Sequence, residues 1–140
     1  MHKISTTEKI IKDYYHAFNC RNWKGMLDLL SSDVCHDINQ GGREVGVKLF
    51  DVFLENMALH YEEQVSELCI LTSATHSARA SAEFIISGKY LKSQEGLPPA
   101  RGQTYRIAVG AFFEIKNEKI SRISNYYNLP EWINSVTNAG

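Results

Sequence analysis

From Glu62 onward the chain abandons helical spacing for long runs rich in Val, Ile, Phe, Tyr and small residues, broken near Thr75, at KSQEGLPPA and at KNEK. Runs of this kind between turn-forming clusters read as strands, and three short breaks give four successive strands in an antiparallel meander. Side chains alternate across a strand, so such a meander presents an apolar face that must be covered. Only the first 61 residues and the last dozen remain to cover it.

Those segments read as helices. The STTE stretch at Ser5 to Glu8 has the form of a capping box, and Ile10, Ile11, Tyr14, Ala17 and Phe18 follow at helical spacing. Asn19 and Asn22 interrupt that run, and Trp23, Met26, Leu27 and Leu30 mark a short second helix. DVCHDI suits a brief strand, after which Val47, Phe50, Leu54, Met57 and Tyr61 form one stripe of a third helix. NLPEWINSV closes the pattern, with Asn128 as cap, Pro130 in the first turn and Glu131 completing a second capping box. The expected fold is α+β: one domain over residues 1–140, with a curved antiparallel sheet around N-terminal helices and a short C-terminal helix. Curvature leaves a cavity between sheet and helices.

Charge narrows the partners. With 15 Lys+Arg against 16 Asp+Glu and no block of one sign, the electrostatic footprint that a phosphate backbone needs is missing, so no nucleic-acid partner is expected. No apolar run approaches the length of a membrane span, and MHKISTTEKIIKDYYHAF lacks the apolar centre of a secretion signal, so a soluble cytoplasmic protein with no membrane partner is expected. Cys20, Cys35 and Cys69 are too widely spaced for a CxxC motif and are expected to be buried thiols. The five histidines include no HExxH, so no metal site is expected.

The order of elements, together with YYHAFN, HDINQGGREVG, GAFFEI and SNYYNLPEW, resembles the nuclear transport factor 2-like superfamily, and within it the ketosteroid-isomerase-related, SnoaL-like branch. The resemblance runs from about Ser5 to Val136 and implies a cone with an internal pocket, a cystatin-like roll that works without a cofactor. Relative to ketosteroid isomerases it places the oxyanion-donor tyrosine at Tyr14, the general base at Asp37 with one residue of ambiguity in register, and the second, acidic donor at Ala111. Loss of that acid argues against steroid isomerisation itself. The stretches GQTYRIAVGAFFEI and ISRISNYYNLPEW also resemble limonene epoxide hydrolases, whose Asp-Arg-Asp arrangement would have Ser81 at the arginine, Glu83 at one aspartate and Asn125 at the other, so that one carboxylate is kept.

Strand alternation supplies an independent test. If Ala111 faces the cavity, Tyr105, Ile107, Val109 and Phe113 share its face, while Asn125 and Tyr127 share one on the last strand. Trp23, Tyr105, Val109, Ala111, Phe113 and Tyr127 are therefore the expected pocket residues, suited to a small apolar or aromatic ligand. Asp37, Glu83, Tyr14 and Asn125 are the candidate catalytic residues. Asp37 is either a base desolvated by apolar walls or a residue that faces solvent or bonds to the amides of the glycine turn. Glu83 either faces the pocket or lies on the outer surface, pairing with Arg106 or meeting a second copy; Tyr14 is either an oxyanion donor or a core tyrosine. Adjacent strand residues face opposite ways, so His36 and Asp37 cannot both enter the cavity, and His36 is assigned to packing or the rim.

Three functions fit: an isomerase, cyclase or dehydratase acting on a small carbonyl or hydroxyl compound; a non-catalytic ligand carrier; or a homodimer joined through the outer sheet face. Whether KSQEGLPP is a lid stays open.

Overall fold

A computed structural model describes residues 5–76 and 78–138. Two helices, α1 (Thr6–Asn19) and α2 (Trp23–Leu27), lead into strands β1 (Leu30–Asp37) and β2 (Arg43–Val45). Helix α3 (Val47–His60) precedes β3 (Tyr61–Thr72), β4 (Arg79–Tyr90), β5 (Thr104–Lys116) and β6 (Lys119–Tyr127), and α4 (Leu129–Asn138) ends the order. The α+β architecture and the four-strand meander are as expected.

The caps act as the sequence implies. Ser5 Oγ accepts from the Glu8 amide at 3.1 Å, and Asn128 Oδ1 from the Glu131 amide at 3.0 Å. Asn19 does more than end α1: its Nδ2 donates to the Val65 carbonyl at 2.9 Å while its Oδ1 accepts from the Val65 amide at 2.8 Å, fastening the helix to β3. Helix α2 stops at Leu27, and Leu30, expected on it, instead opens β1 by pairing with Ile120.

The six strands form one curved, unclosed sheet in the order β2-β1-β6-β5-β4-β3. It is not wholly antiparallel, because β1 lies parallel to β6. Between Ser66 and Cys69 the register with β4 slips, and Glu67 takes φ +54°; this bulge keeps Leu68 and Ile70 on the same side as Val65. On the concave face Ile11, Tyr14 and Tyr15 of α1 pack over Phe84 and Phe113, and α3 adds Phe50 and Leu54. The thiols depart from expectation: Cys20 and Cys69 are exposed and Cys35 is half-buried.

Candidate functional site

A cavity of about 560 Å³ lies between α3 and the concave sheet. Phe53, Leu54, Met57, Val65, Ile86 and Ile107 make much of its wall. Gln94, Glu95 and Leu97 of the 92–99 segment also line it, and that segment is strapped down: Tyr61 Oη donates to Gln94 Oε1 at 2.5 Å, Tyr90 Oη donates to the Pro98 carbonyl at 2.7 Å, and the Gln94 amide donates to Tyr90 Oη at 3.0 Å.

Of the expected residues, Tyr14, Trp23, Val109, Asn125 and Tyr127 line the cavity. Ala111 and Phe113 have the expected inward parity but are fully buried beneath it, with Phe113 edge-on to Tyr14 and Tyr15 at 6.1 Å. Tyr105 also points inward but is not in the lining; its hydroxyl is spent on a carboxylate described below.

Both expected acids point away from the cavity. Asp37 sits on the convex side of β1, where Arg43 Nε donates to Oδ1 at 2.6 Å, Arg43 Nη2 to Oδ2 at 3.1 Å and Ser124 Oγ to Oδ2 at 2.6 Å. These donors favour the ionised form and hold its carboxyl at about 2, the wrong direction for a base. The physical reason is register: Asp37 pairs with Ser124 and His36 with Ile123, so His36 is the member of the pair that turns inward. Glu83 alternates with the buried Ala82 and Phe84 and is exposed on the convex face; Arg106, its expected partner, pairs with Glu67 at 2.6 Å.

Of the titratable groups in the cavity lining other than the phenols, His36 and Glu63 are the ones set among its apolar walls with their ionisation shifted by burial. His36 is 2% exposed, its ring 4.5 Å from that of Phe53 and 4.8 Å from that of Phe50, and burial pushes its pKa down to about 4 against the opposing charge of Asp37. It is a neutral imidazole at physiological pH. Glu63 lies between Tyr61 and Val65 on the inward face of β3, and Tyr105 Oη donates to its Oε2 at 2.5 Å. Burial raises the Glu63 carboxyl above the usual range, and the Tyr105 hydrogen bond only partly offsets this. No partner among the described residues meets its Oε1. Burial likewise raises the phenols of Tyr14, Tyr61 and Tyr127, keeping them protonated as donors.

Gly88 makes the Glu63 contact possible. It is the β-neighbour of both Glu63 and Tyr105, and a Cβ there would fall 2.4 Å from Tyr105 Cζ. The bare backbone gives the ring its path to the carboxylate. Glu63 is hidden in the sequence by its flanking Glu62 and Gln64, but the apolar Tyr61 and Val65 two residues either side signal its inward direction. Among the described residues no cluster of three or more His, Cys, Asp or Glu is placed to hold a metal ion, and no helix is long and apolar enough to cross a membrane.

A curved, unclosed sheet around N-terminal helices, with a cavity at its concave face, defines the cone fold of the nuclear transport factor 2-like superfamily. The family model for the SnoaL-like domain matches residues 11–123, and the chain belongs to that family. Three crystal structures of proteins provisionally named polyketide cyclases are similar over nearly their whole length. The one from Xanthomonas campestris pv. campestris is 42% identical with a TM-score of 0.90, covering 94% of this chain and 96% of that one. The Pseudomonas putida protein is 45% identical at 0.90, covering 96% and 99%, and the Silicibacter protein 37% identical at 0.92, covering 97% and 98%. No curated protein matches the chain.

Proposed function

We propose that this SnoaL-like domain is an acid–base enzyme for a compact, largely apolar carbonyl compound, with Glu63 as its base. The observation that supports this best is a carboxylate in the lining of a largely apolar cavity, fixed through one oxygen by a phenol and, among the described residues, unpartnered at the other. Desolvation of that kind strengthens a carboxylate as a proton acceptor near neutral pH.

Glu63 takes a proton from the carbon beside the carbonyl; the C–H electron pair forms the enolate double bond, and the carbonyl π pair moves to oxygen. Tyr14 and Asn125, both in the lining, are the donors proposed for that oxygen. Three outcomes share this first step. Returning the proton from Glu63 to a different carbon isomerises the compound; expelling a β-hydroxyl as water, with the Glu63 proton, dehydrates it. Attack of the enolate carbon on a second carbonyl of the same molecule, whose oxygen then takes the Glu63 proton, closes a ring. The relatives provisionally named polyketide cyclases favour ring closure. Every proton and electron pair stays between substrate and protein, so the scheme uses no cofactor.

The test is deuterium exchange at the α-carbons of 2-tetralone in D2O, followed by NMR. The protein should accelerate exchange, and Glu63→Gln should slow it by roughly 100-fold or more. Exchange unaffected by that substitution removes Glu63 as the base; binding of 2-tetralone without exchange makes the protein a ligand carrier.

Homodimerisation through the convex face is a second proposal, favoured by Phe112 and Tyr126, which are 47% and 58% exposed with ring centroids 5.7 Å apart. Sedimentation velocity should give twice the chain mass, falling to one chain in the Phe112→Ser, Tyr126→Ser double variant. A monomer at micromolar concentration rejects it.

A further inference from the structure

Among the described residues, three polar atoms of cavity-lining side chains are buried without a hydrogen-bond partner, Tyr15 Oη, His36 Nδ1 and Asn39 Nδ2, and the last two stand close together in the chain. Both residues line the cavity, at the end of β1 and in the turn that follows. Asn39 is held in place from its other side, since its Oδ1 accepts from the Tyr127 amide at 3.1 Å. That bond fixes the amide with Nδ2 towards the Tyr127 phenol, near enough to favour its ionised form but without a hydrogen bond of good geometry. His36 is clamped between Phe50 and Phe53, so its ring cannot turn to find a protein partner. Buried polar groups are nearly always satisfied, and two unsatisfied ones three residues apart at one end of a cavity call for a partner that the described residues do not supply.

We propose that His36 and Asn39 form a second polar pole that binds an oxygen function of the substrate remote from the one at Glu63. This rests on the cavity being a substrate site and adds the class of compound it takes: one oxygenated at both ends with an apolar middle. The arrangement of the walls supports the separation. Phe50, in ring contact with His36, begins the α3 wall, and Ala58, eight residues further along a helix, ends it just before the chain turns into β3 and Glu63. Eight residues of α-helix rise about 12 Å, the length of a fused bicyclic skeleton with its two oxygens. Asn39 Nδ2 is a donor, and the neutral His36 ring offers one donor and one acceptor according to its tautomer. A hydroxyl answers both residues, because it accepts from the amide and donates to the imidazole; a carbonyl answers Asn39 and the N–H form of His36. Between the poles the wall offers Leu54 and Met57, which fit hydrocarbon.

The experiment compares 2,6-dihydroxynaphthalene with 2-naphthol, identical but for the second hydroxyl. Affinities come from calorimetry, and imidazole 15N and backbone amide shifts from NMR of the labelled protein. The dihydroxy probe should bind at least ten-fold more tightly and alone move the His36 nitrogen signals. The advantage should vanish in His36→Phe, which keeps an aromatic ring in the clamp, and in Asn39→Asp, which keeps the oxygen facing the Tyr127 amide and removes the donor. Equal affinities, or cavity shifts that leave His36 untouched, overturn the second pole and leave the Glu63 reading standing, with the two atoms then serving bound water. No cavity shift from either probe overturns both.

Discussion

Asp37 and Glu63 are the same functional group on opposite faces of one sheet, and they meet opposite fates. Asp37 is gripped through both oxygens by a guanidinium and a hydroxyl on the half-exposed convex side, and its proton affinity falls. Glu63 is held through one oxygen by an uncharged phenol in a wall of hydrocarbon, and its proton affinity rises. A carboxylate's neighbours, far more than its residue type or its place near a strand end, decide whether it is structural or reactive. The convex face extends the structural style, since Arg122 donates to Ser124 Oγ at 2.6 Å and meets Glu114 at 3.1 Å, with Arg79 beyond.

The sharpest way to break this contrast is to neutralise each acid in turn. Glu63→Gln should lower the exchange rate by roughly 100-fold or more while Asp37→Asn leaves it within about two-fold; equal losses would mean that the two faces are coupled in a way the geometry does not show.

Next in size is the acid limb of stability. The unfolded His36 takes up a proton near pH 6.5 and the folded one near pH 4, so the unfolded chain binds more protons between those values and stability falls as pH drops through that window. The loss attributable to this group is about 3 kcal/mol by pH 4. Chemical denaturation of wild type and His36→Phe at a series of pH values should show the difference between them shrinking or reversing across pH 6.5 to 4. A constant difference would mean that His36 titrates normally.

Gly88→Ala comes third. The new methyl meets the Tyr105 ring and should cost about 1–3 kcal/mol. Displacing the phenol also removes the one contact that favours ionised Glu63, so the acid limb of the exchange-rate profile should move to higher pH. Tyr105→Phe should reproduce the pH shift without the steric cost; a profile unmoved in both would detach Tyr105 from the chemistry.

Smallest is the effect of Asp37→Asn on stability at neutral pH, about 1 kcal/mol or less for a pair open to water. Its sign with pH is opposite in origin to that of Glu63. A depressed carboxylate contributes above its unfolded value near 4 and loses that contribution as pH falls towards 2, so wild type and variant should converge there. Glu63 is raised, so its ionisation costs stability as pH climbs, and Glu63→Gln should be no less stable than wild type at pH 8.

Much of this architecture is written in local spacing. The capping boxes at Ser5 and Asn128, the α3 stripe and the turn clusters between strands all act within a few residues, and the inward parity of Tyr105 through Phe113 follows from alternation alone. What spacing does not carry is register between distant segments. The parallel joint of β1 with β6 sets which of His36 and Asp37 turns inward, and a shift of one residue exchanges them. Alternation correctly admits one of the two, but the family resemblance favoured the acid, and the acid went outside. Glu83 had the same ambiguity, although its neighbours Ala82 and Phe84 pointed to the answer. Glu63 was concealed by polar neighbours on the opposite face, and its significance depends on Gly88 and Tyr105 from two other strands.

The Ser124–Asp37 hydrogen bond spans 87 residues of chain, and the strand pairing it belongs to joins the first long strand to the last. Such a joint cannot begin to form until nearly all of the sequence has been laid down, and closing so large a loop is entropically slow. On a ribosome the β3–β4 and β4–β5 hairpins can close while β1, paired only with the three-residue β2, still waits for β6. The side of the cavity bearing His36 and Asn39 is thus the last to be assembled, and in amide exchange on the refolding chain β1 should gain protection after β4 and β5.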